Sequence, residues 1–260
     1  MSISVPSMST IAPRATPASS RVGWESSGSP EAGVALGAIV DIDGTLIDTN
    51  YHHTVAWGRA FADHGVDVAL WRIHRHNGMG GDQLVAAVAG DDVEERLGDA
   101  IRESESRRYA ELIDEVRPLP GARELLTALR GRGCPIVLAS SAKPGEAERY
   151  IDLLGARQIV DAWTTGGDVD RTKPHPDLIA VAAERLPEVS DFFVIGDTAW
   201  DAVAAGRAGF PSIGVLSGGF GASELHDAGC FAVFVDAADL AAHLESALDT
   251  ALSAAAAAAG

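Results

Sequence analysis

The stretch Gly37–Asn50, GAIVDIDGTLIDTN, constrains the fold more than any other in the chain. An apolar run, Ala38–Val40, leads straight into Asp41 and Asp43, then Gly44 and Thr45. A short run of small and β-branched apolar residues suits a strand buried on both faces, as in parallel sheets. Side chains alternate along a strand, so Asp41 and Asp43 can point the same way. Two like charges at the end of a buried strand are costly unless something positive lies between them. Hard carboxylate oxygens suit Mg²⁺, and a bound phosphate uses the same cation together with N–H groups of the following turn. The stretch predicts phosphoryl transfer on an aspartate.

From Gly121 onward the pattern alternates helix and strand. Strands are expected at Pro135–Ala139, Ile159–Thr164, Phe192–Ile195, Ser212–Leu216 and Phe231–Val235. Helices are expected at Ala122–Arg130, Gly145–Leu154, Asp177–Leu186, Trp200–Ala208, Ala222–Ala228 and Ala237–Ala251. Such alternation predicts an α/β fold, a doubly wound parallel Rossmann-like sheet whose ligands sit at the carboxyl ends of its strands. Between the first strand and this region the pattern is helical, over Asp48–His64, Asp82–Val88 and Asp92–Val116, with loops at Gly65–Trp71 and His74–Gly81. Pro118–Gly121 reads as a hinge. The expected division is a disordered tail over 1–35, a core formed by 36–50 and 119–250, a helical insertion over 51–118, and an Ala-rich tail, 251–260, that frays.

Composition narrows the partners. The 260 residues, 47% hydrophobic, suffice for one large or two modest domains. Lys and Arg number 20 against 37 Asp and Glu, a formal net charge of −17. That balance argues against a nucleic-acid or membrane surface, and an anionic substrate must be drawn in by local positive groups. The two cysteines, Cys134 and Cys230, fit no metal spacing and read as buried apolar filler in a reducing cytoplasm. The chain has no apolar run long enough to span a membrane. Met1–Arg21 lacks the apolar segment of a secretory signal, whereas its Ser and Arg content leaves a transit peptide open.

Polar residues recur at the predicted strand ends: Asp41 and Asp43, Ser140 and Ser141, Lys173, and Asp197 with Asp201. In this order and spacing the chain resembles the haloacid dehalogenase-like hydrolase superfamily. Asp41-Ile42-Asp43-Gly44-Thr45 matches its first motif, Ser140 its second, Lys173 its third and Gly196-Asp197-Thr198-Ala199-Trp200-Asp201 its fourth. The helical insertion resembles the cap of the subgroup that holds phosphoglycolate phosphatases and β-phosphoglucomutases. The resemblance implies Asp41 as nucleophile and Asp43 as general acid and base, which the chemistry of each supports. It implies Asp41, the carbonyl of Asp43, Asp197 and Asp201 around Mg²⁺, with Asp201 alternatively orienting Lys173. Thr45, Ser140, Ser141 and Lys173 are the expected phosphate contacts. Family dehalogenases lack the second aspartate, so Asp43 points to a phosphate ester.

In the cap, His52, His53, Arg59, His74, Arg75 and His76 are candidates to face a substrate, each weighed against ordinary helix surface. Gly78-Met79-Gly80-Gly81 is better placed, because its glycines let backbone approach a ligand. His64, His74 and His76 lack a carboxylate at helical spacing and do not read as a metal site. The expectation is a Mg²⁺-dependent cytoplasmic phosphatase, monomer or homodimer. Its substrate would be a small phosphorylated metabolite such as phosphoglycolate or a sugar phosphate. A phosphomutase and a catalytically silent binding protein are the alternatives.

Overall fold

The apolar runs that end at Asp41, Ser140 and Asp197 form strands, with helices between them. The computed structural model describes residues 36–258, so the expected N-terminal tail lies outside the described residues. Six strands, β1 (Leu36–Val40), β2 (Ile136–Ala139), β3 (Ala162–Thr164), β4 (Asp191–Gly196), β5 (Ser212–Val215) and β6 (Cys230–Phe234), make one parallel sheet in the order β3-β2-β1-β4-β5-β6. The chain starts at the centre, moves one way through β2 and β3, then jumps across β1 to β4. The order therefore reverses between β1 and β4, where open α/β sheets bind ligands.

Burial follows the alternation of side chains along the strands. Ala38 and Val40 point to one face with Ile136, Leu138, Phe193 and Ile195. There they pack on α5 (Ala122–Gly131), α6 (Pro144–Leu154), α10 (Ala237–Ala242) and α11 (Leu244–Ala258). Ile39, Val137, Ala139 and Val194 point to the other face, covered by α7 (Asp177–Glu184) and α8 (Ala199–Ala208). A short α9 (Ala222–Asp227) closes the β5–β6 edge through Leu225.

Between β1 and β2 the chain forms α1 (Asn50–Asp63), α2 (Leu70–His74), α3 (Gly81–Ala89) and α4 (Asp91–Ala110). These have their own apolar cluster, including Trp57, Phe61, Ile73, Leu84, Val88 and Ile101. Among the described residues no helix is long and apolar enough to cross a membrane.

Some boundaries differ from the sequence reading. The helix α2 lies where a loop was expected; it is one turn long, and only tertiary burial of Ile73 marks it. The charged helix α4 stops at Ala110, and Glu111–Glu115 are tight turns anchored on the Tyr109 carbonyl. The last helix is two, with a break at His243, whose N–H is shared between the Asp239 and Leu240 carbonyls at 3.2 and 3.1 Å. The Ala-rich end is helical through Ala258, since buried Ala247 and Ala251 anchor that helix on the core.

Candidate active site

The site grows out of the β1 terminus. The Asp41 N–H still bonds the Ile195 carbonyl at 2.9 Å, which keeps Asp41 in register with β4 as the strand ends. The chain then turns at Gly44, where φ is +81°, a region that glycine enters at little cost. A Cβ there would also lie 2.4 Å from Asp197 Oδ2, so the turn and the acid need glycine for separate reasons.

Lys173, 1% exposed, reaches this end from the loop before α7. Its Nζ pairs with Asp41 Oδ1, lies 2.7 Å from Asp201 Oδ1 and 3.3 Å from the Ala139 carbonyl. Asp201 sits at the first turn of α8 in a capping box, where its Oδ2 accepts from the Thr198 N–H and hydroxyl. Asp197 follows β4 and accepts from Thr45 Oγ1 at 2.8 Å and from Asn50 Nδ2 at 2.8 Å.

Asp41, Asp197 and Asp201 each offer an oxygen within 4.8 Å of the others, and all three are buried. One ammonium faces three carboxylates, and the titration of the group shows the imbalance. Burial pushes Asp41 well above the usual carboxylate range, and Lys173 opposes this while Asp201, Asp197 and Asp43 add to it. Burial and the neighbouring Asp201 push Asp197 up to about 7 against the hydrogen bonds of Asn50 and Thr45. Burial would lower the Lys173 ammonium, but Asp201 and Asp41 outweigh it and raise the value. A buried, all-carboxylate donor set short of positive charge fits a hard divalent cation.

Asp43 is held differently. Its Oδ1 accepts from Thr49 Oγ1 at 2.9 Å, and its Oδ2 from Ser140 Oγ at 2.7 Å. His53 Nε2 stands 3.7 Å from Oδ1, while Nδ1 lies 3.1 Å from Glu105 Oε1, so the imidazole bridges the two acids. The ring stacks on Tyr109 at 3.8 Å. Burial opposes charge on His53, yet the bonds to Asp43 and Glu105 raise it to about 10. Burial likewise opposes charge on Asp43, but His53, Ser140 and Thr49 together hold it below the usual value.

Above these residues lies a cavity of about 330 Å³. Its core side includes Asp41, Asp43, Ser141, Lys143, Glu146 and Thr172; its helical side includes His53, Trp57, Asn77, Arg102 and Glu105. The loop Gly78-Met79-Gly80 also lines it, tied to the core where the Gly80 N–H donates to Thr172 Oγ1 at 2.9 Å.

The structure thus gathers Asp41, Asp43, Lys173, Asp197 and Asp201 beneath one cavity. Thr45 and Ser140 are also there but fully buried, their hydroxyls donating to Asp197 and Asp43, so in this arrangement each orients a carboxylate. Ser141 does line the cavity.

Five of the six His and Arg cap candidates lie elsewhere. His52 is rotated about 100° around α1 from His53 and does not line the cavity. Arg59 is on the surface, 3.8 Å from Glu111. Arg75 pairs with Glu224 and lies 4.3 Å over the Phe220 ring, joining the end of α2 to α9 and the loop before it. His74 bonds the Gly218 carbonyl at 3.0 Å, and His76 the Arg72 carbonyl at 2.8 Å. The sequence reading missed Thr49, Asn50, Asn77, Arg102, Glu105, Lys143 and Glu146. Thr49 and Asn50 follow the first motif directly and were open to discovery there. Glu105 sits in a run of charges with nothing local to set it apart. Both cysteines are buried and free.

The family model of the haloacid dehalogenase-like hydrolases matches residues 37–209. A validoxylamine A 7'-phosphate phosphatase of Streptomyces hygroscopicus is 32% identical over 69% of this chain and 85% of its own length. A phosphoglycolate phosphatase of Rhodobacter capsulatus is 29% identical over 69% of this chain and 84% of its own. The crystal structure of a hydrolase from Pseudomonas syringae superimposes with a TM-score of 0.76 at 32% identity, covering 81% of this chain and 98% of that one. With its motifs joined beneath one cavity, the chain belongs to the haloacid dehalogenase-like hydrolases and is an enzyme of that family.

Proposed function

We propose that the protein is a Mg²⁺-dependent phosphatase that hydrolyses a small phosphate monoester through an aspartyl-phosphate on Asp41. The observation that carries this is the buried set Asp41, Asp197 and Asp201, with Lys173 paired to Asp41 and Asp201, and with Asp41 and Asp43 lining a cavity of about 330 Å³. Mg²⁺ at these carboxylates would supply the positive charge that keeps them ionised and draws in the phosphate.

Asp41, ionised, attacks phosphorus as Lys173 screens the charge gathering on the phosphoryl oxygens. Asp43 donates its proton to the departing alkoxide and then takes one from water attacking the acyl phosphate. Without ligands the pKa order opposes this, with Asp41 raised and Asp43 lowered. The arriving phosphate reverses it at Asp43, because a dianion beside a carboxylate favours the protonated form. Thr49 and Ser140 keep the carboxyl aimed through the exchange. Residues 51–118 act as a cap that closes through the Gly80–Thr172 contact and excludes water during transfer.

The test is hydrolysis of p-nitrophenyl phosphate with Mg²⁺ and with EDTA. Turnover that requires Mg²⁺ and disappears in Asp41→Asn supports the reading. Undiminished turnover in that variant contradicts it.

A further inference from the structure

Resting on the phosphatase reading, we propose that the leaving alcohol carries hydrogen-bond donors, hydroxyls or an amine, and no second anion, and that Asn77 and Glu146 recognise it. Asn77 is 4% exposed and lines the cavity. Its Nδ2 donates to the Asn50 carbonyl at 2.7 Å and to Thr54 Oγ1 at 2.9 Å. A carbonyl only accepts, which fixes the amide nitrogen on that side. Its Oδ1 is left buried with no partner among the described residues. A buried acceptor without a donor is costly, and a hydroxyl or amine in the cavity supplies one.

Glu146, at the start of α6, lines the same cavity, and its carboxylate has no hydrogen-bond partner among the described residues. Burial raises it. Glu105 has one oxygen on His53, and Oε2 has no hydrogen-bond partner among the described residues. Two of the cations nearby, Arg102 and His53, are engaged by carboxylates. Arg102 is held by Glu94 at 2.9 Å, Asp99 at 2.8 Å and the Gly81 carbonyl at 3.1 Å. Lys143 Nζ bonds Ser106, and His53 lies between Asp43 and Glu105. A remote carboxylate would meet Glu105 and Glu146, with Arg102 and His53 already paired to carboxylates and Lys143 bonded to the Ser106 hydroxyl. A hydroxyl or ammonium would meet acceptors that lack donors. A site whose buried polar groups need a ligand's donors rejects analogues without them.

The experiment measures kcat/KM with Mg²⁺ for phosphoglycolate, glucose 6-phosphate, glucosamine 6-phosphate and p-nitrophenyl phosphate. Both sugar phosphates are expected at least ~10-fold above phosphoglycolate. In Glu146→Gln the ratio of glucosamine to glucose phosphate falls, and Glu146→Lys raises phosphoglycolate relative to both. If p-nitrophenyl phosphate is hydrolysed and phosphoglycolate matches or exceeds the sugars, the selectivity is overturned and the phosphatase reading stands. An unchanged sugar ratio in Glu146→Gln also overturns it. Failure on all four esters removes both.

Discussion

Lys173 Nζ lies 2.7 Å from Asp201 Oδ1 while it also pairs with Asp41, so one buried ammonium ties the nucleophile to the first turn of α8. Lys173→Met would leave three buried carboxylates with no internal counter-charge. Removing one partner of a buried pair costs about 3–5 kcal/mol. The variant should therefore melt lower than wild type in EDTA and recover more of its stability with Mg²⁺. Its kcat should fall about 10²–10³-fold, the usual effect of losing one preorganised charge. Thermal scans with and without Mg²⁺, alongside steady-state kinetics, check both parts.

The raised pKa of Asp197 gives the stability a pH sign. Its folded value of about 7 lies above the unfolded carboxylate range. The metal-free native state therefore holds an extra proton between about pH 4 and 7, and stability falls as pH rises through that window. Divalent binding must release that proton. The rise in Tm on adding Mg²⁺ should thus be larger at pH 8 than at pH 5.5. Equal rises at both would mean that Asp197 does not bind the ion.

Asp43 acts on the leaving group, so its loss should depend on that group. Asp43→Asn should reduce hydrolysis of an alkyl phosphate about 10²–10⁴-fold. The first step with p-nitrophenyl phosphate should suffer less, because p-nitrophenolate leaves without protonation. Pre-steady-state bursts compare the two directly, and equal losses would deny Asp43 the role of acid.

Gly218 is a test far from the motifs in sequence. A Cβ at this position would lie 1.8 Å from Asp197 Oδ2, so Gly218→Ala must move the carboxylate. Displacing a metal-orienting contact typically costs about 10–100-fold in affinity. Titration of activity with Mg²⁺ should show that rise in the half-saturating concentration with little change in far-UV circular dichroism.

The parts legible in the sequence were those in which local pattern and burial agree. Ala38–Val40 and Phe192–Ile195 are apolar because both faces of the sheet are covered, and the acids that end them stand out against that background. Partners were less legible than positions. Thr45 and Ser140 announce hydroxyls near a phosphate, but only the fold puts Asp197 and Asp43 within their reach. On α1, His52 and His53 are equivalent by composition, and one step of helical rotation separates cavity from flank. Asn77, Glu105 and Glu146 come from three separate elements and meet only in three dimensions.

The most direct test of a phosphorylated Asp41 is chemical trapping during turnover. Borohydride added to enzyme, Mg²⁺ and substrate reduces an acyl phosphate, and mass spectrometry of the peptides locates the reduced residue. The account predicts reduction at Asp41, with retention of configuration at a chiral phosphorus after two displacements. No reduction at Asp41, together with inversion at phosphorus, would contradict it.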